Sequence, residues 1–392
     1  MRIAFFTECF RPTRNGVVVS VETFAQQLTE MGHEVHVFAP RVASYPDVGS
    51  YAVHRFPSLI YPPIPDYPLA FPYSLSHFRR FQALGFDLVH AQSPWLLGRA
   101  AAYLARRCRL PLVMTYHTAF EQYLHYLPAA PTFTRPVGWW LLRRYAAVCD
   151  LVLAPSPEVA AALRGRGALA ATVETLPTGV EVDWIAQGCG RRARKWLELA
   201  SEDRLLLYVG RMAPEKNVEF LLRSLAPLLR ERKDTYLVCV GGGWSLASLG
   251  ALAAELGVAD RIRFVGAVPR EAVRHFLAAS DLFVFASLTE TQGLVIAEAL
   301  AAGLPIVALD GPGVSSAITG REGFLCPPIA EVFHDRVAQL LNDDTLRGEM
   351  GRAARVRAAD FSARHFAEEL IGHYETVIRR RAVLTRLRPP LD

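Results

Sequence analysis

The sequence predicts an α/β protein with a parallel sheet, on a chain long enough for two domains. The clearest indication lies between residues 281 and 308. There, an apolar run of strand length is followed by a polar loop, a helix and a second apolar run. This order is typical of a parallel crossover unit. With 392 residues, the chain can bury a separate core in each of two domains.

The helix of this unit predicts a ligand site. We expect it to begin near Gly293 and to end at Gly303, because Pro305 prevents its continuation. The loop before it lies at the carboxyl edge of the sheet, where ligands bind in such folds. The N–H groups at the helix start are a ready site for a phosphate. They belong to Gly293, Leu294 and Val295.

Glu298 is the only charged residue of this apolar helix and lies one turn inside it. Burying an unpaired carboxylate would be costly. We therefore expect Glu298 to bind a ligand, although a solvent-facing Glu that complements the helix dipole is the alternative.

The first half of the chain begins with a buried strand at residues 2–6, followed by a turn and a helix through Leu28. A dinucleotide-binding fold places a GxGxxG fingerprint in this turn. Here the turn holds only Asn15 and Gly16. An oxidoreductase is therefore disfavoured, and Gly16 serves either a ligand or chain geometry alone.

Residues 56–84 combine a proline-rich stretch with a short helix. Six prolines between 57 and 72 exclude helix and central strand and favour a stiff loop that displays aromatic rings. The helix that follows carries Arg79 and Arg80 among apolar residues. Basic and aromatic residues together suit a membrane surface, and an ordinary amphipathic helix explains them equally well.

Strands at residues 87–94 and 112–118 both run into polar edges. His117 then lies at the carboxyl edge of a sheet, although a lone histidine is usually structural.

Further on, helical spacing over 135–149 places Leu141, Tyr145 and Val148 on a core face. Tryptophan beside arginine is favoured at a bilayer interface. The residues concerned are Trp139, Trp140, Arg143 and Arg144, for which a plain surface helix is the alternative.

The second half opens with a strand and a basic loop at residues 205–217, which carries Arg211 and Lys216. Further strands are expected at 236–243 and 261–266, then a last strand and helices to the basic chain end. That basic end is either a lipid-headgroup contact or a solvated tail.

Composition excludes several classes. The six cysteines are scattered without a CxxC pair, which is typical of core residues in a reducing compartment. No apolar run is long enough to span a bilayer, and the chain start lacks a signal-peptide cleavage site. A net charge of +5 is too mild to indicate nucleic acid.

Two glutamates, Glu290 and Glu298, bracket a helix N-terminus with seven residues between them, followed by the Gly-Pro stop. This pattern resembles the retaining GT-B glycosyltransferases of family 4. The segments TYHTAFEQYLHYLP and DLVHAQSP, with Gly98, resemble the bacterial diacylglycerol branch. The resemblance covers nearly the whole chain. It implies two facing Rossmann-like domains with an interdomain cleft, and a C-terminal helix that crosses back to the N-domain.

The resemblance also implies domain boundaries. Residues 1–176 would form the acceptor domain, 177–184 the connector, 185–362 the nucleotide-sugar domain, and 363–392 the returning helix and basic tail.

Residue roles follow from the same resemblance. His117 and Glu290 would act on the sugar and Glu298 on the ribose. The other donor-binding residues would be Gly16, Arg211, Lys216, Val265, Gly293, Leu294 and Val295. Tyr123, His125 and Tyr126 would face the acceptor.

The activity so implied is transfer of a hexose (glucose, galactose or an N-acetylhexosamine) from a UDP-sugar to diacylglycerol, with α-retention and front-side attack. We expect a peripheral enzyme on an anionic membrane surface, at the cytoplasmic side. No cofactor or metal is expected, because the chain has no Asp-x-Asp motif. The alternatives are a GDP-mannose-dependent mannosyltransferase acting on a phosphoinositide or soluble acceptor, and a non-catalytic sugar-nucleotide binder.

Overall fold

The computed structural model describes residues 1–13, 15–42, 47, 49–59, 68–72, 75–117, 131–165 and 172–387, with backbone only at 75–77, 131–134 and 384–387. The chain divides into two compact units. The first unit comprises Met1–Gly179 and Ala363–Asp392, and the second comprises Val180–Ser362.

The first unit alternates strands with helices. Its strands are β1 (Arg2–Phe6), β2 (Glu34–Pro40), β3 (Ala52–Phe56), β4 (Ser58–Leu59), β5 (Leu69–Ala70), β6 (Leu88–Ala91), β7 (Leu112–Thr115), β8 (Leu151–Ala154) and β9 (Thr172–Thr175). Its helices up to this point are α1 (Gly16–Glu30), α2 (Leu75–Leu84), α3 (Leu96–Cys108), α4 (Pro131–Ala146) and α5 (Pro157–Gly165).

Among the described residues, the main sheet of this unit has the strand order β3-β2-β1-β6-β7-β8-β9. All neighbouring strands are parallel. The order reverses between β1 and β6, and in open α/β sheets the crevice at such a reversal binds ligands. The loops after β1 and β6 are therefore expected to carry functional groups.

The second unit repeats this architecture. Its elements are α6 (Val182–Ala186), α7 (Gly190–Leu197), β10 (Arg204–Val209), α8 (Val218–Glu231), β11 (Thr235–Val240), α9 (Leu246–Glu255), β12 (Ile262–Gly266), α10 (Arg270–Ala279), β13 (Leu282–Phe285), α11 (Leu294–Ala302), β14 (Ile306–Leu309), β15 (Gly323–Cys326), α12 (Ala330–Asn342) and α13 (Asp344–Ala358). The described strands form a parallel sheet in the order β12-β11-β10-β13-β14-β15. Here the order reverses between β10 and β13.

The last helix, α14 (Ala363–Leu387), belongs to the first unit, so the chain returns as the sequence predicts. Its Tyr374 is fully buried, and the phenol oxygen lies 2.6 Å from Nδ1 of His90 in β6. Arg381 pairs with Asp150 at 3.2 Å. These contacts join the end of the chain to strands formed by its first half.

The helix predicted between Gly293 and Gly303 is confirmed. Both glycines are left-handed caps, with φ of 70° and 75°. A residue with a side chain is strained in this conformation, and glycine is not. At Gly293, a Cβ would also lie 3.1 Å from the carbonyl oxygen of Gly313. Local sequence thus determines both ends of α11.

The core face predicted for residues 135–149 is confirmed only at Tyr145. Trp139 and Leu142 are buried with it in α4, whereas Leu141 is partly buried and Val148, beyond the end of the helix, is exposed. A helix can turn either of two apolar stripes inward, and the sheet beneath it selects one. Trp139 is only 8% exposed and packs in the hydrophobic core of the first unit.

Candidate functional site

The second unit brings the predicted sugar and diphosphate residues together at the reversal of its sheet. Lys216 lies in the loop after β10 and Glu290 in the loop after β13, and these strands are neighbours. The Lys216 Nζ lies 2.5 Å from Oε1 of Glu290. Both side chains are largely buried, so the pair is a strong ionic contact at the carboxyl edge of the sheet.

Two hydrogen bonds from side chains to backbone carbonyl oxygens hold these two loops against each other. The Thr289 hydroxyl donates to the carbonyl oxygen of Glu215 at 3.1 Å. The Asn217 amide donates to the carbonyl oxygen of Ala286 at 3.3 Å. Residues that are 74 positions apart in the chain are thereby positioned as neighbours.

Arg211, the second predicted cation, is also held by a carboxylate. Its Nη2 lies 2.9 Å from Oε1 of Glu215, a side chain that is almost fully buried. The hydroxyl of the buried Tyr208 donates to the Arg211 carbonyl oxygen at 3.1 Å. Sequence reasoning missed Glu215 and Tyr208, although Glu215 stands next to Lys216 in the same motif.

Glu298 lies one turn inside α11 and is partly buried. Burial raises the pKa of its carboxyl group, and the positive charge of Arg270 opposes this shift. The structure places Val265 within β12, half-buried. Leu294 and Val295 form the first turn of α11, where a helix presents N–H groups without intrahelical partners.

The corresponding edge of the first unit carries His117, just after β7. Its Nε2 lies 2.6 Å from Oε1 of Gln92, which follows β6. An N–H donates to a carbonyl oxygen, so Nε2 carries the proton in this contact. Burial lowers the pKa of His117 to about 4. The ring is therefore neutral near pH 7.

His90 lies beside this pair in β6. Its Nε2 lies 2.8 Å from the hydroxyl of Thr115. Burial, and to a lesser degree His117, lowers the pKa of His90 to about 3. Both histidines of this edge are therefore neutral hydrogen-bonding groups.

Glu8 is a largely buried carboxyl group that the sequence analysis did not single out. It follows β1 and accepts the N–H groups of Leu97 and Gly98 at 2.7 and 3.2 Å, and the Ser93 hydroxyl at 3.2 Å. It thereby caps α3 from a distant loop. Burial raises its pKa to about 7, despite these three hydrogen bonds.

Two glycines of the first unit, Gly16 and Gly98, lie in the first turns of helices. Gly16 is the first residue of α1, and the Asn15 side chain caps this helix by accepting the Val18 N–H at 2.9 Å. At Gly98, a Cβ would lie 1.9 Å from the Ser93 carbonyl oxygen, so the close approach of α3 requires glycine.

Of the residues predicted to contact a membrane, the structure buries one and exposes the others. Trp139 is a core residue and is therefore excluded from a surface role. Trp140 is 53% exposed, and the Arg144 guanidinium carbon lies 5.1 Å from its ring centroid. Arg143 is exposed too, as are Arg79 and Arg80 on α2. In the described part of the chain, no helix has both the length and the apolar character to cross a bilayer.

Three predicted acceptor residues, Tyr123, His125 and Tyr126, lie outside the described residues. The aromatic loop is described only in part. Phe56 is buried and Phe71 is exposed, and Tyr61, Tyr67 and Tyr73 lie outside the described range. No group of three His, Cys, Asp or Glu side chains that could hold a metal ion occurs among the residues described.

Comparison with known proteins gives consistent results for both units. Residues 14–184 match Glycosyltransferase Family 4, and residues 191–357 match Glycosyl transferases group 1. An alpha-monoglucosyldiacylglycerol synthase of Streptococcus pneumoniae is 29% identical over 329 residues, covering 82% of this chain and 74% of the relative. A GDP-mannose-dependent alpha-mannosyltransferase of Mycobacterium tuberculosis is 33% identical over 396 residues, covering 97% of this chain and 98% of the relative.

A crystal structure of Anabaena HepE in complex with UDP matches with a TM-score of 0.76 at 19% identity, covering 96% of this chain and 100% of the other. At that identity the likeness supports the two-domain GT-B fold alone. The two family matches and the 33% identical relative identify the activity class. The chain belongs to the family 4 glycosyltransferases and is a hexosyltransferase with the GT-B fold.

Proposed function

We propose that the protein transfers a hexose (glucose, galactose or an N-acetylhexosamine) from a UDP-sugar to diacylglycerol, with retention of the α-configuration, in membrane glycolipid synthesis. The observation that carries the proposal is the Lys216–Glu290 pair. A cation suited to a diphosphate stands beside a carboxylate suited to sugar hydroxyls, at the sheet position where ligands bind.

The second unit supplies the charges for the donor. Arg211, Lys216 and the N-terminus of α11 would neutralise the diphosphate as it departs. Glu290 would accept hydrogen bonds from sugar hydroxyls, and Glu298 from the ribose. We propose that no metal ion is needed, because the side chains of Arg211 and Lys216 provide the positive charge that a metal ion would otherwise provide.

The first unit supplies neutral groups. With a pKa of about 4, His117 is suited to orient the sugar by hydrogen bonding and is a poor general acid. This agrees with front-side attack. The acceptor oxygen bonds to the anomeric carbon, the bond from that carbon to phosphate breaks, and the departing phosphate takes the acceptor proton. No side chain of the protein acts as nucleophile.

The second candidate is a GDP-mannose-dependent mannosyltransferase, which could act on a phosphoinositide or a soluble acceptor. The 33% identity to such an enzyme over 97% of this chain favours it. Diacylglycerol is favoured by the similarity to two alpha-monoglucosyldiacylglycerol synthases, at 29% and 25% identity. The exposed Trp140–Arg144 pair also favours a lipid acceptor.

Activity assays that combine several sugar donors with different acceptors decide between the two candidate functions. Purified protein is incubated with UDP-glucose, UDP-galactose, UDP-N-acetylglucosamine or GDP-mannose, each with and without diacylglycerol in mixed micelles. We expect release of UDP that depends on diacylglycerol, and an α-linked product by NMR. Release of GDP from GDP-mannose that depends on an added phosphoinositide or soluble acceptor, and not on diacylglycerol, would establish the alternative instead.

We also propose that the protein docks peripherally on an anionic membrane surface, at the cytoplasmic side, through Trp140, Arg143 and Arg144. An arginine near an anionic bilayer contributes about 1 kcal/mol. Arg143→Glu with Arg144→Glu should therefore weaken binding by about 2 kcal/mol or more, which is well over tenfold. Binding should also weaken as salt rises.

Co-sedimentation with vesicles that contain 30% phosphatidylglycerol measures this effect. The matched control is Arg106→Glu with Arg107→Glu, an exposed pair on α3 that makes the same change in net charge. An equal loss in the control would assign the effect to net charge. Unchanged binding in the first variant would move the docking surface elsewhere, with Arg79 and Arg80 as the next candidates.

A further inference from the structure

Arg211 is the more exposed of the two cations that are proposed to bind the diphosphate. Its side chain is 37% exposed, whereas that of Lys216 is largely buried. An exposed arginine side chain samples many rotamers, and ordering it when a ligand binds costs free energy. Arg211 therefore binds a diphosphate more tightly if its guanidinium group is already held in place.

Glu215 holds the guanidinium group of Arg211. The Nη2 atom of Arg211 lies 2.9 Å from Oε1 of Glu215, and the side chain of Glu215 is only 5% exposed. In this pair the carboxylate is enclosed by protein, and the guanidinium group reaches the surface. The carboxylate is therefore the fixed partner, and the guanidinium group is the part that a ligand can contact.

The backbone of Glu215 is itself anchored to the loop after β13. Its carbonyl oxygen accepts the Thr289 hydroxyl at 3.1 Å and the Ser287 hydroxyl at 3.4 Å. A carboxylate on an anchored backbone has a fixed reach. Glu215 therefore restricts the positions that the side chain of Arg211 can take.

The backbone on either side of Arg211 is held by the glycine loop after β11. At Gly241, a Cβ would lie 1.9 Å from the carbonyl oxygen of Gly210. At Gly243, it would lie 2.3 Å from that of Met212. The two loops thus pack backbone against backbone, and the conformational freedom left to Arg211 is that of its side chain.

The charge of Glu215 is unfavourable at a site that binds an anion. A carboxylate beside a diphosphate repels it, so the charge of Glu215 by itself weakens donor binding. Its position has the opposite effect if it orders the side chain of Arg211. A buried carboxylate at this place is better explained by its position than by its charge.

We propose that Glu215 is a positioning residue for the donor diphosphate, which holds the Arg211 guanidinium group in place before the donor binds. This inference rests on the proposed role of Arg211 at the diphosphate. Glu215 itself does not touch the donor. Its effect on binding must therefore require both a diphosphate in the ligand and Arg211 in the protein.

Glu215→Asp separates position from charge. The variant keeps the negative charge, but its side chain is shorter by a methylene group, so its oxygens no longer reach Arg211 from the anchored backbone. We expect the Kd for UDP to rise about 2- to 12-fold, the cost of ordering a flexible side chain on binding. The Kd for uridine, which has no diphosphate, should change by less than about twofold.

Calorimetry measures the Kd for UDP, and competition against UDP measures that for uridine. The matched control is Glu322→Asp, the same substitution at another buried glutamate of the second unit. Glu322 accepts the Thr319 N–H at 2.8 Å and directly precedes β15, at the opposite edge of the sheet. Both Kd values should be unchanged in this control. If the donor assays identify GDP-mannose, GDP and guanosine replace UDP and uridine.

Arg211→Met provides the second part of the test. In this background, Glu215→Asp should change the Kd for UDP by less than about twofold, because no guanidinium group remains to be held. If Glu215→Asp does not fold, Glu215→Gln at high salt carries the same expectations. Salt screens the change in net charge, and a neutral amide holds an arginine less firmly than a carboxylate does.

An unchanged Kd for UDP in Glu215→Asp would overturn the inference, as would an equal rise for UDP and uridine or an equal loss in the Arg211→Met background. Arg211→Met alone separates this failure from that of the proposed function. If Arg211→Met binds UDP as tightly as the wild type, the diphosphate role of Arg211 is itself wrong. If it binds more weakly while Glu215→Asp has no effect, only the inference about Glu215 fails.

Discussion

The two sheet edges share one topology and differ in their electrostatics. In the second unit, Lys216 and Glu290 follow the two strands that flank the reversal of strand order; in the first unit, Glu8 and Gln92 do so, and His117 follows the next strand, β7. In the second unit these side chains are ions in pairs, such as Lys216 with Glu290. In the first unit they are buried groups held neutral, such as His117 with Gln92.

The difference shows that the fold determines where the functional side chains lie, whereas their local surroundings determine whether they are charged. At the edge of the second unit, Glu215 and Glu290 are largely buried and each is paired with a cation. At the edge of the first unit, burial raises the pKa of Glu8 in spite of the N–H and O–H groups that donate to it. A glycosyltransferase can use both kinds of edge, since a diphosphate needs positive charge, whereas sugar hydroxyls can bond to neutral groups as well as to carboxylates.

The largest expected effect separates binding from chemistry at the neutral edge. His117→Ala should lower kcat by about 100- to 1000-fold, the range for losing one well-placed hydrogen-bonding group. UDP affinity should stay within about twofold, because the donor nucleotide is assigned to the second unit. Steady-state kinetics and calorimetry measure the two quantities. Equal losses in both would argue for a structural histidine.

Glu8→Gln tests whether the first unit holds a carboxyl group neutral. The pKa of Glu8 is raised to about 7, so the folded state binds this proton more tightly than the unfolded state. Its contribution to the unfolding free energy is therefore lost as pH rises from 4.5 to about 7. The amide does not titrate and keeps an acceptor oxygen for α3. Relative to the variant, the wild type should lose up to about 3 kcal/mol over this range.

Urea unfolding at pH 4.5, 6 and 8 measures this difference. A difference in unfolding free energy that stays constant with pH would mean that Glu8 is ionised in the folded state. In that case the contrast between the two edges would disappear.

A smaller effect is expected for the ionic edge. Lys216→Met removes a charged hydrogen-bond donor from the proposed diphosphate site, at a cost of about 1.5–3 kcal/mol, or 10- to 150-fold in the Kd for UDP. Lys195→Met removes an exposed lysine of the same unit and should have no effect. UDP affinity that changes equally in both variants would mean that only net charge matters.

The smallest expected effect is none. EDTA should leave turnover unchanged, because Arg211, Lys216 and the α11 N-terminus are proposed to neutralise the diphosphate without a metal. Initial rates with 5 mM EDTA, and after addition of Mg²⁺ or Mn²⁺, test this. A loss of turnover that either ion restores would show that the charges of the second unit are not sufficient.

The sequence by itself determined the features that depend on neighbouring residues. Gly293 and Gly303 cap α11 because only glycine adopts their conformation without strain. Apolar runs determined the strands, and the spacing of Glu290 and Glu298 around a helix start predicted the family. These features depend on residues that are close together in the chain, so they can be predicted from the sequence alone.

Tertiary structure alone decided which residues meet and which are buried. Lys216 pairs with Glu290 because β10 and β13 are neighbours in the sheet, although 74 positions separate the two residues. Trp139 is buried and Trp140 is exposed, although they are adjacent and chemically identical. The sheet beneath α4 chooses between them, and no pattern within the helix records that choice. Charge depends on burial in the same way, so the neutral state of His117 could not be predicted from its position in the chain.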